Sequence, residues 1–382
     1  MITIFDVETT TSNKGNPFDQ TNKLCYAGFK TGSQTHLFDV EYTDSPCDVD
    51  AIQDILRTSM LLVGFNIKFD LHWIKKYGLS FNNCRIWDCQ LVHFILTGQT
   101  ESYPSLNDVA AYYNLGTKLD VVASEYWDRG IDTTLIPKDI LEEYLIGDLE
   151  LTHQVYLKQV EELERRQGLK RLVSLHNQDL LVLQEMEYNG LLFDYTKSEE
   201  LANDTDKDIE KIDELLSSFV SCSEFNYNSN DHLSCLLYGG SITLRRQEEC
   251  GIFKTGERKG QTKYKWVDYE VEFPRLVKPL RGSELAKEGY YSTDEQTLRS
   301  LSGNKKAKEI IELLLKRAEL SKLVSTYYRG LLKLQDTMNW KKGTIHGQLN
   351  QCVARTGRLS SSRPNLQNFD GGIKVLFYSR FT

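Results

Sequence analysis

The chain has 382 residues, 40% hydrophobic and 26% charged, with a formal net charge of −8. This balance describes a soluble globular protein with room for two or three domains. It excludes a membrane span, because no apolar run approaches the length that crosses a bilayer. Eight cysteines are scattered without a Cys-x-x-Cys, Cys84 and Cys89 being the closest pair, which argues for free thiols rather than a disulfide framework or a zinc site.

Charge is unevenly distributed along the chain. Residues 1–160 hold 12 Lys and Arg against 22 Asp and Glu, whereas residues 305–382 hold 15 against 5. An acidic head suited to metal and a basic tail suited to phosphate suggest an enzyme acting on nucleic acid.

In Ile2-Thr3-Ile4-Phe5-Asp6-Val7-Glu8-Thr9-Thr10 a period of two predicts a strand, starting too early to leave room for a secretory signal. That strand puts Asp6 and Glu8 on one side, where two anions repel unless a cation lies between them. Alone, such a pair also suits a strand end running into solvent. Short strands follow at Leu24–Lys30 and Thr35–Val40, then a helix from Asp48 to Arg57 with Asp48 or Asp50 able to cap it. Leu61–Phe65 reads as a buried strand running into Asn66-Ile67-Lys68-Phe69-Asp70 and a helix over Leu71–Tyr77. Asp70 thus stands at a strand-to-helix junction, where an Asp commonly caps. Helices are predicted at Asp88–Leu96, Leu106–Asn114 and Ile140–Arg166. In the last, Leu141, Tyr144, Leu145, Asp148, Leu149 and Thr152 share one face. An inward Asp148 needs a partner, and a metal shared with Asp6 and Glu8 would supply it.

Asp6-x-Glu8, then Asn66-x-x-x-Asp70 with Phe69, then Tyr144-x-x-x-Asp148 resembles the three exonuclease motifs of the Tyr-containing DEDD nucleases, which include the proofreading domains of DNA polymerases. The resemblance implies an α/β, ribonuclease H-like domain over residues 1–165, a mixed sheet flanked by helices. It also implies two Mg²⁺ or Mn²⁺ ions held by Asp6, Glu8, Asp70 and Asp148. Asp6, Glu8 and Asp148 would hold the ion that activates water, and Asp6 and Asp70 the ion beside the leaving oxygen. Tyr144 would orient the water and Asn66 would help order the site. Thr9 and Phe69 would pack the strand or contact the terminal nucleotide.

Residues 166–382 read as a mostly helical segment. Long helices are expected at Gly168–Tyr188 and Tyr195–Phe219, a short strand at Leu191–Asp194, and a helical unit over Lys305–Gln335. Cys250–Tyr291, rich in Lys, Gly, Glu and Tyr, is predicted to be an inserted hairpin or long loop running through solvent rather than clamping DNA. Lys322-Leu323-Val324-Ser325-Thr326-Tyr327 resembles the thumb signature of family A DNA polymerases. Ala318 stands where the family has Arg, with Arg317 adjacent. Thr356-Gly357-Arg358-Leu359-Ser360-Ser361-Ser362, followed by Pro364-Asn365-Leu366-Gln367-Asn368, resembles a family A hallmark beside the primer terminus. The resemblance implies a thumb and partial palm, with Arg317, Lys322, Arg355, Arg358, Asn365 and Gln367 on DNA. An Arg fork such as that of Arg358 suits minor-groove acceptors present on every base pair.

The family's palm carboxylate motifs are not met before Thr382. The expectation is therefore a phage-type family A polymerase fragment in the (host) cytoplasm: an exonuclease that binds single-stranded 3′ ends and primer–template, completed by a second chain carrying palm and fingers. The alternatives are a free-standing 3′–5′ exonuclease and a non-catalytic DNA-binding or assembly subunit.

Overall fold

The computed structural model describes residues 1–43, 49–116, 121–220 and 222–380. The chain packs as two units, Met1–Tyr195 with Leu331–Thr382, and Thr196–Gly330. This differs from a linear division at residue 165. The helix after that point buries Val173 and Leu180 in the same core as the N-terminal sheet, together with Cys352 of the tail.

The first unit is built on five strands: β1 (Ile2–Thr9), β2 (Leu24–Thr31), β3 (Gln34–Asp39), β4 (Leu61–Gly64) and β5 (Arg85–Asp88). Their order is β3-β2-β1-β4-β5, antiparallel from β1 to β3 and parallel from β1 to β5. The mixed sheet carries helices α1 (Val49–Thr58), α2 (Lys68–Lys76), α3 (Cys89–Leu96), α4 (Leu106–Tyr112), α5 (Val121–Glu125), α6 (Lys138–Arg165) and α7 (Lys170–Asn189). Asp48, expected as one possible cap of α1, lies outside the described residues.

As the central strand, β1 is covered on both faces, so that Thr3, Ile4, Phe5, Val7 and Glu8 are all buried. Phe5 and Val7 enter one core with Leu62, Trp73 and Leu180, and Ile4 enters the other with Leu141, Leu145 and Leu149 of α6. Each such leucine contributes about 1.5–3 kcal/mol by leaving water. By strand alternation Asp6 and Glu8 share the Ile4 face, toward α6. The site is thus aimed by the core.

The chain continues with β6 (Leu191–Phe193), then α8 (Tyr195–Ser217), α9 (Asn230–Tyr238), β7 (Gly240–Ile252), β8 (Thr262–Phe273), α10 (Glu295–Ser300) and α11 (Lys305–Lys322). A π-helical turn over Leu323–Tyr328 separates α11 from α12 (Arg329–Thr337), interrupting the single helical unit expected there. The second unit buries Leu216, Leu236, Leu237, Ile242, Ile310 and Leu314 in a core of its own. The β7–β8 hairpin begins ten residues before the stretch 250–291 expected as a hairpin or long loop, at Gly240, and ends within that stretch, at Phe273. Back in the first unit, β9 (Thr344–Ile345) pairs with β6, and β10 (Gln348–Asn350) pairs with β11 (Ser360–Ser362). The chain then forms α13 (Gly371–Lys374) and β12 (Phe377–Tyr378), the latter on the other edge of β6. Seven described cysteines are free thiols. No helix among the described residues is long and apolar enough to cross a membrane.

Candidate active site

The parallel ladder between β1 and β4 covers only Ile2 to Ile4, so β1 runs on past the end of β4 with Asp6 and Glu8 beyond the ladder. On the other side Asp6 pairs with Gly28 and Glu8 with Tyr26 of β2. A Cβ on Gly28 would come within 2.9 Å of Leu149 Cδ1 and 3.0 Å of Leu145 Cγ. The missing side chain lets α6 lie close over the strand pair, which carries Asp148 to the same place. One ligand oxygen each from Asp6, Glu8 and Asp148 lies within 4.8 Å of the others. Glu8 and Asp148 are buried and Asp6 is half-buried.

Asp70 completes the acidic group from the next element. Helix α2 starts at Lys68, with Ile67 at its cap position, so Asp70 sits inside the first turn and does not cap it. It is 2% exposed. Burial holds its carboxyl well above the usual carboxylate range, reinforced by the charge of Asp6 and opposed by a hydrogen bond from the Val7 backbone N–H. Carboxylates brought together this way without a cation repel, and a divalent ion reverses the sign of that interaction. The donors are all hard oxygens, with no thiolate or imidazole among them, which fits Mg²⁺ or Mn²⁺ and not zinc.

Tyr144 lies one turn before Asp148 on α6, its ring edge-to-face with Trp127 at 5.5 Å between centroids. Trp127 donates its indole N–H to Thr133 Oγ1 at 3.1 Å. Next to it, Asp132 accepts from the backbone N and hydroxyl of Thr11, at 2.9 and 3.0 Å, and so ties the segment before α6 to the end of β1. Neither Trp127 nor Asp132 stood out in the sequence. Gly15, at φ +68°, allows Thr9 and Phe69 to crowd together: a Cβ there would be 2.3 Å from Thr9 Oγ1 and 3.2 Å from Phe69 Cζ. Asn66 is left-handed at φ +57°, and its N–H donates to Asp88 Oδ1 at 3.2 Å. Asn66 and Phe69 line a cavity of about 610 Å³, which Ser360, Ser362 and Arg363 of the tail also line.

Asp88 also caps α3 by accepting from the N–H groups of Gln90 and Leu91. Burial pushes its carboxyl up to about 6, from an ordinary 3.8. The folded chain therefore holds this proton more tightly than the unfolded chain. The stability that results is complete below 3.8 and lost as pH rises through 6. Asp88→Asn keeps the cap without the charge. Relative to the native chain it is expected to gain roughly 2–3 kcal/mol between pH 4 and pH 7. Melting curves at the two pH values check this, and a constant difference would contradict it.

A second buried carboxylate joins α2 to the tail. Glu187 Oε1 accepts from Lys68 Nζ at 2.6 Å and from the Leu349 backbone N at 2.5 Å, and Oε2 accepts from His72 Nε2 at 2.9 Å. Burial alone would raise its pKa, but the bonds from His72 and Lys68 hold it below the usual range. Burial also keeps His72 neutral, consistent with its Nδ1 accepting from Gln184 at 3.2 Å. Lys68 donates further to the Leu349 carbonyl at 2.6 Å.

In the tail, Arg355 and Arg358 are exposed on the loop joining β10 to β11. Gly357, at φ +71°, provides the left-handed step that loop needs. Asn365 and Gln367, expected on DNA, are exposed, and each bonds within the loop itself. Asn365 Oδ1 accepts from the Gln367 N–H at 3.1 Å, and Gln367 Nε2 donates to the Leu359 carbonyl at 2.8 Å. Lys322 is exposed at the end of α11. Arg317 corrects an expectation: it is 9% exposed, its guanidinium bonded to Asp213 at 2.5 and 3.1 Å and to Asn228 at 2.7 Å, over the ring of Tyr227. Turned to protein acceptors, it is a structural cation of the second unit.

Residues 4–164 match the family model described as 3'-5' exonuclease, and residues 270–375 match DNA polymerase family A. Among curated proteins the chain is 29% identical over 308 residues to DNA polymerase I of Synechocystis, covering 79% of this chain and 26% of that protein. It is 31% identical over 187 residues to the thermostable DNA polymerase I of Thermus filiformis, covering 49% of this chain and 17% of that one. It is also 24% identical over 356 residues to the DNA polymerase of Bacillus phage SP01, covering 85% and 37%. The chain thus spans between 17% and 37% of the length of these curated relatives. Its fold resembles the POL domain of Pol1 from M. smegmatis, solved in complex with DNA primer-template and dNTP. The TM-score is 0.64 at 20% identity, over 96% of this chain and 52% of that one. With both stretches matched in the order the motifs implied, the chain carries a 3′–5′ exonuclease domain followed by the start of a family A DNA polymerase domain.

Proposed function

We propose that this chain removes nucleotides one at a time from the 3′ end of DNA, as the proofreading activity of a replicative polymerase. The observation that carries the reading is the gathering of Asp6, Glu8 and Asp148, with Asp70 held in the field of Asp6. Asp6, Glu8, Asp70 and Asp148 would hold two Mg²⁺ or Mn²⁺ ions, which supply an activated water and charge stabilisation for the leaving oxygen. Around them Tyr144 orients the attacking water through its hydroxyl. Asn66, Phe69 and Thr9 hold the terminal nucleotide in line. Trp127 keeps the Tyr144 ring from swinging away.

Arg355, Arg358 and Lys322 reach the primer–template, while Asn365 and Gln367 shape the loop that presents Arg358. The palm and fingers that such a loop serves are supplied from outside these 382 residues, by a second chain or by more of the same polypeptide. Direction tests the exonuclease reading. A strand blocked at its 5′ end should shorten like an unblocked one, releasing nucleoside monophosphates, while a strand blocked at its 3′ end should resist. Shortening from the 5′ end would overturn it.

Gly28→Ala tests the close approach of α6. The added methyl meets Leu145 and Leu149, so the variant is expected to lose about 1–3 kcal/mol of stability. Because the displaced helix carries Asp148, kcat for strand shortening should fall more than DNA affinity. Unchanged kcat in a folded Gly28→Ala protein would show that the close approach does not set the site.

A further inference from the structure

Glycines of the central sheet have packing reasons. Gly28 lets α6 close on the strand pair, and a Cβ on Gly64 would come within 2.7 Å of Ile67 Cγ1 and 3.0 Å of the Phe5 carbonyl oxygen. Gly147 is different. It is the only glycine in the 28 residues of α6, immediately before Asp148. Its backbone is helical and not left-handed, so no turn requires it. A Cβ there would meet nothing within 4 Å among the described residues, beyond its chain neighbours and the helix backbone. Glycine inside a helix destabilises it relative to alanine, and no close approach of another element offsets that cost here.

Tyr144 stands three residues before Gly147 and Leu151 four after it, so the three adjoin along one edge of α6. That edge borders the face on which Leu141, Leu145, Asp148 and Leu149 are buried. Side chains on a helix lean toward its N-terminus and cover the turn before their own Cα. A side chain at 147 would therefore lie over the ground beside Tyr144. The half-buried glycine leaves that ground bare, at the rim of the acidic group that Asp148 completes.

We propose that Gly147 shapes the binding site for the 3′-terminal nucleotide: the space it leaves beside Tyr144 is where the last phosphodiester of the strand enters. The reacting phosphate has to reach Tyr144 and Asp148 together, and these lie one helical turn apart with Gly147 adjoining both. An enzyme that takes any base at the end of the strand needs clearance there, not a fitted pocket. A local rule broken without a structural reason falls, in a consistent sequence, at a functional site. The proposal rests on the reading that these carboxylates and Tyr144 hydrolyse DNA from its 3′ end.

The test is steady-state shortening of a 5′-labelled single strand with Mg²⁺, by the full native chain, Gly147→Ala and Gly147→Gln. Both replacements favour helix, so neither variant should melt below the native protein, and Gly147→Ala should melt about 1–2 °C higher. KM for the strand should nonetheless rise about threefold in Gly147→Ala and about tenfold or more in Gly147→Gln, with kcat changing less. The rise in melting temperature on adding Mg²⁺ should be equal in all three, because Asp148 keeps its place. A glycine without a role at the site would give variants that are more stable and kinetically native. If Gly147→Gln shortens DNA with native KM and kcat, or loses activity together with its response to Mg²⁺, the proposal is overturned. If the native chain itself shortens no strand, the exonuclease reading falls and the proposal falls with it.

Discussion

Asp148→Ala is expected to raise the melting temperature of the metal-free protein while abolishing strand shortening. The two effects share one cause. Asp148 stands within a group of carboxylates whose ligand oxygens lie within 4.8 Å, and in the absence of a cation their mutual repulsion is stored in the folded state. Removing one anion relieves it, by a shift on the order of 1–2 °C for each kcal/mol in a chain of this length. The same removal takes away a ligand worth several kcal/mol of charge stabilisation in the reaction, so the rate should fall about 10³-fold or more. Adding Mg²⁺ separates the cases: at 100 times its dissociation constant the ion adds about 2.7 kcal/mol to the native protein, and little to the variant. A variant that melts lower than the native protein without metal, and still gains as much from Mg²⁺, would contradict this assignment.

Glu187→Ala is expected to have the largest effect on stability. The carboxylate is 5% exposed and accepts from Lys68, His72 and the Leu349 backbone, so its loss leaves a nearly buried ammonium without its counter-charge and a backbone N–H without its acceptor. Breaking a buried pair from one side costs about 3–5 kcal/mol. Glu187→Gln, which keeps an acceptor oxygen but no charge, should lose less. Because Lys68 and His72 flank Asp70 on α2, the Ala variant should also shorten DNA more slowly at full Mg²⁺ occupancy. Urea unfolding and single-turnover kinetics check both parts. An Ala variant within about 1 kcal/mol of the native protein would mean that water replaces the carboxylate easily.

What the sequence made legible was local. The alternation of Ile4, Asp6 and Glu8 against Phe5 and Val7 described β1 because a central strand must bury both faces. The spacing of Leu141, Leu145, Asp148 and Leu149 described α6 because one of its faces lies on that strand. The cap assignment for Asp70 failed by a shift of helix start: α2 begins three residues before Leu71, which moves Asp70 from the junction into the first turn. Glu187 carried the same signal as Asp148, an acidic residue on the apolar face with Leu180 and Leu183, and its partners lie 119 and 162 residues away, beyond any periodicity. Gly28 was readable too, since an isolated glycine in a strand marks a close approach. Arg317 was misread because its acceptor Asp213 lies 104 residues away, on α8. Tertiary pairing, not propensity, decided each of these.

The central claim is that these four carboxylates make a metal-dependent 3′–5′ exonuclease, and one measurement tests it directly. A 5′-labelled primer–template is incubated with the purified chain and Mg²⁺, with and without nucleotides, beside Asp6→Ala prepared identically. The account predicts a ladder of products shortened by single nucleotides, absent with chelator and absent in Asp6→Ala. A native chain that leaves the primer intact in both Mg²⁺ and Mn²⁺, or an Asp6→Ala protein that yields the same ladder, would contradict it.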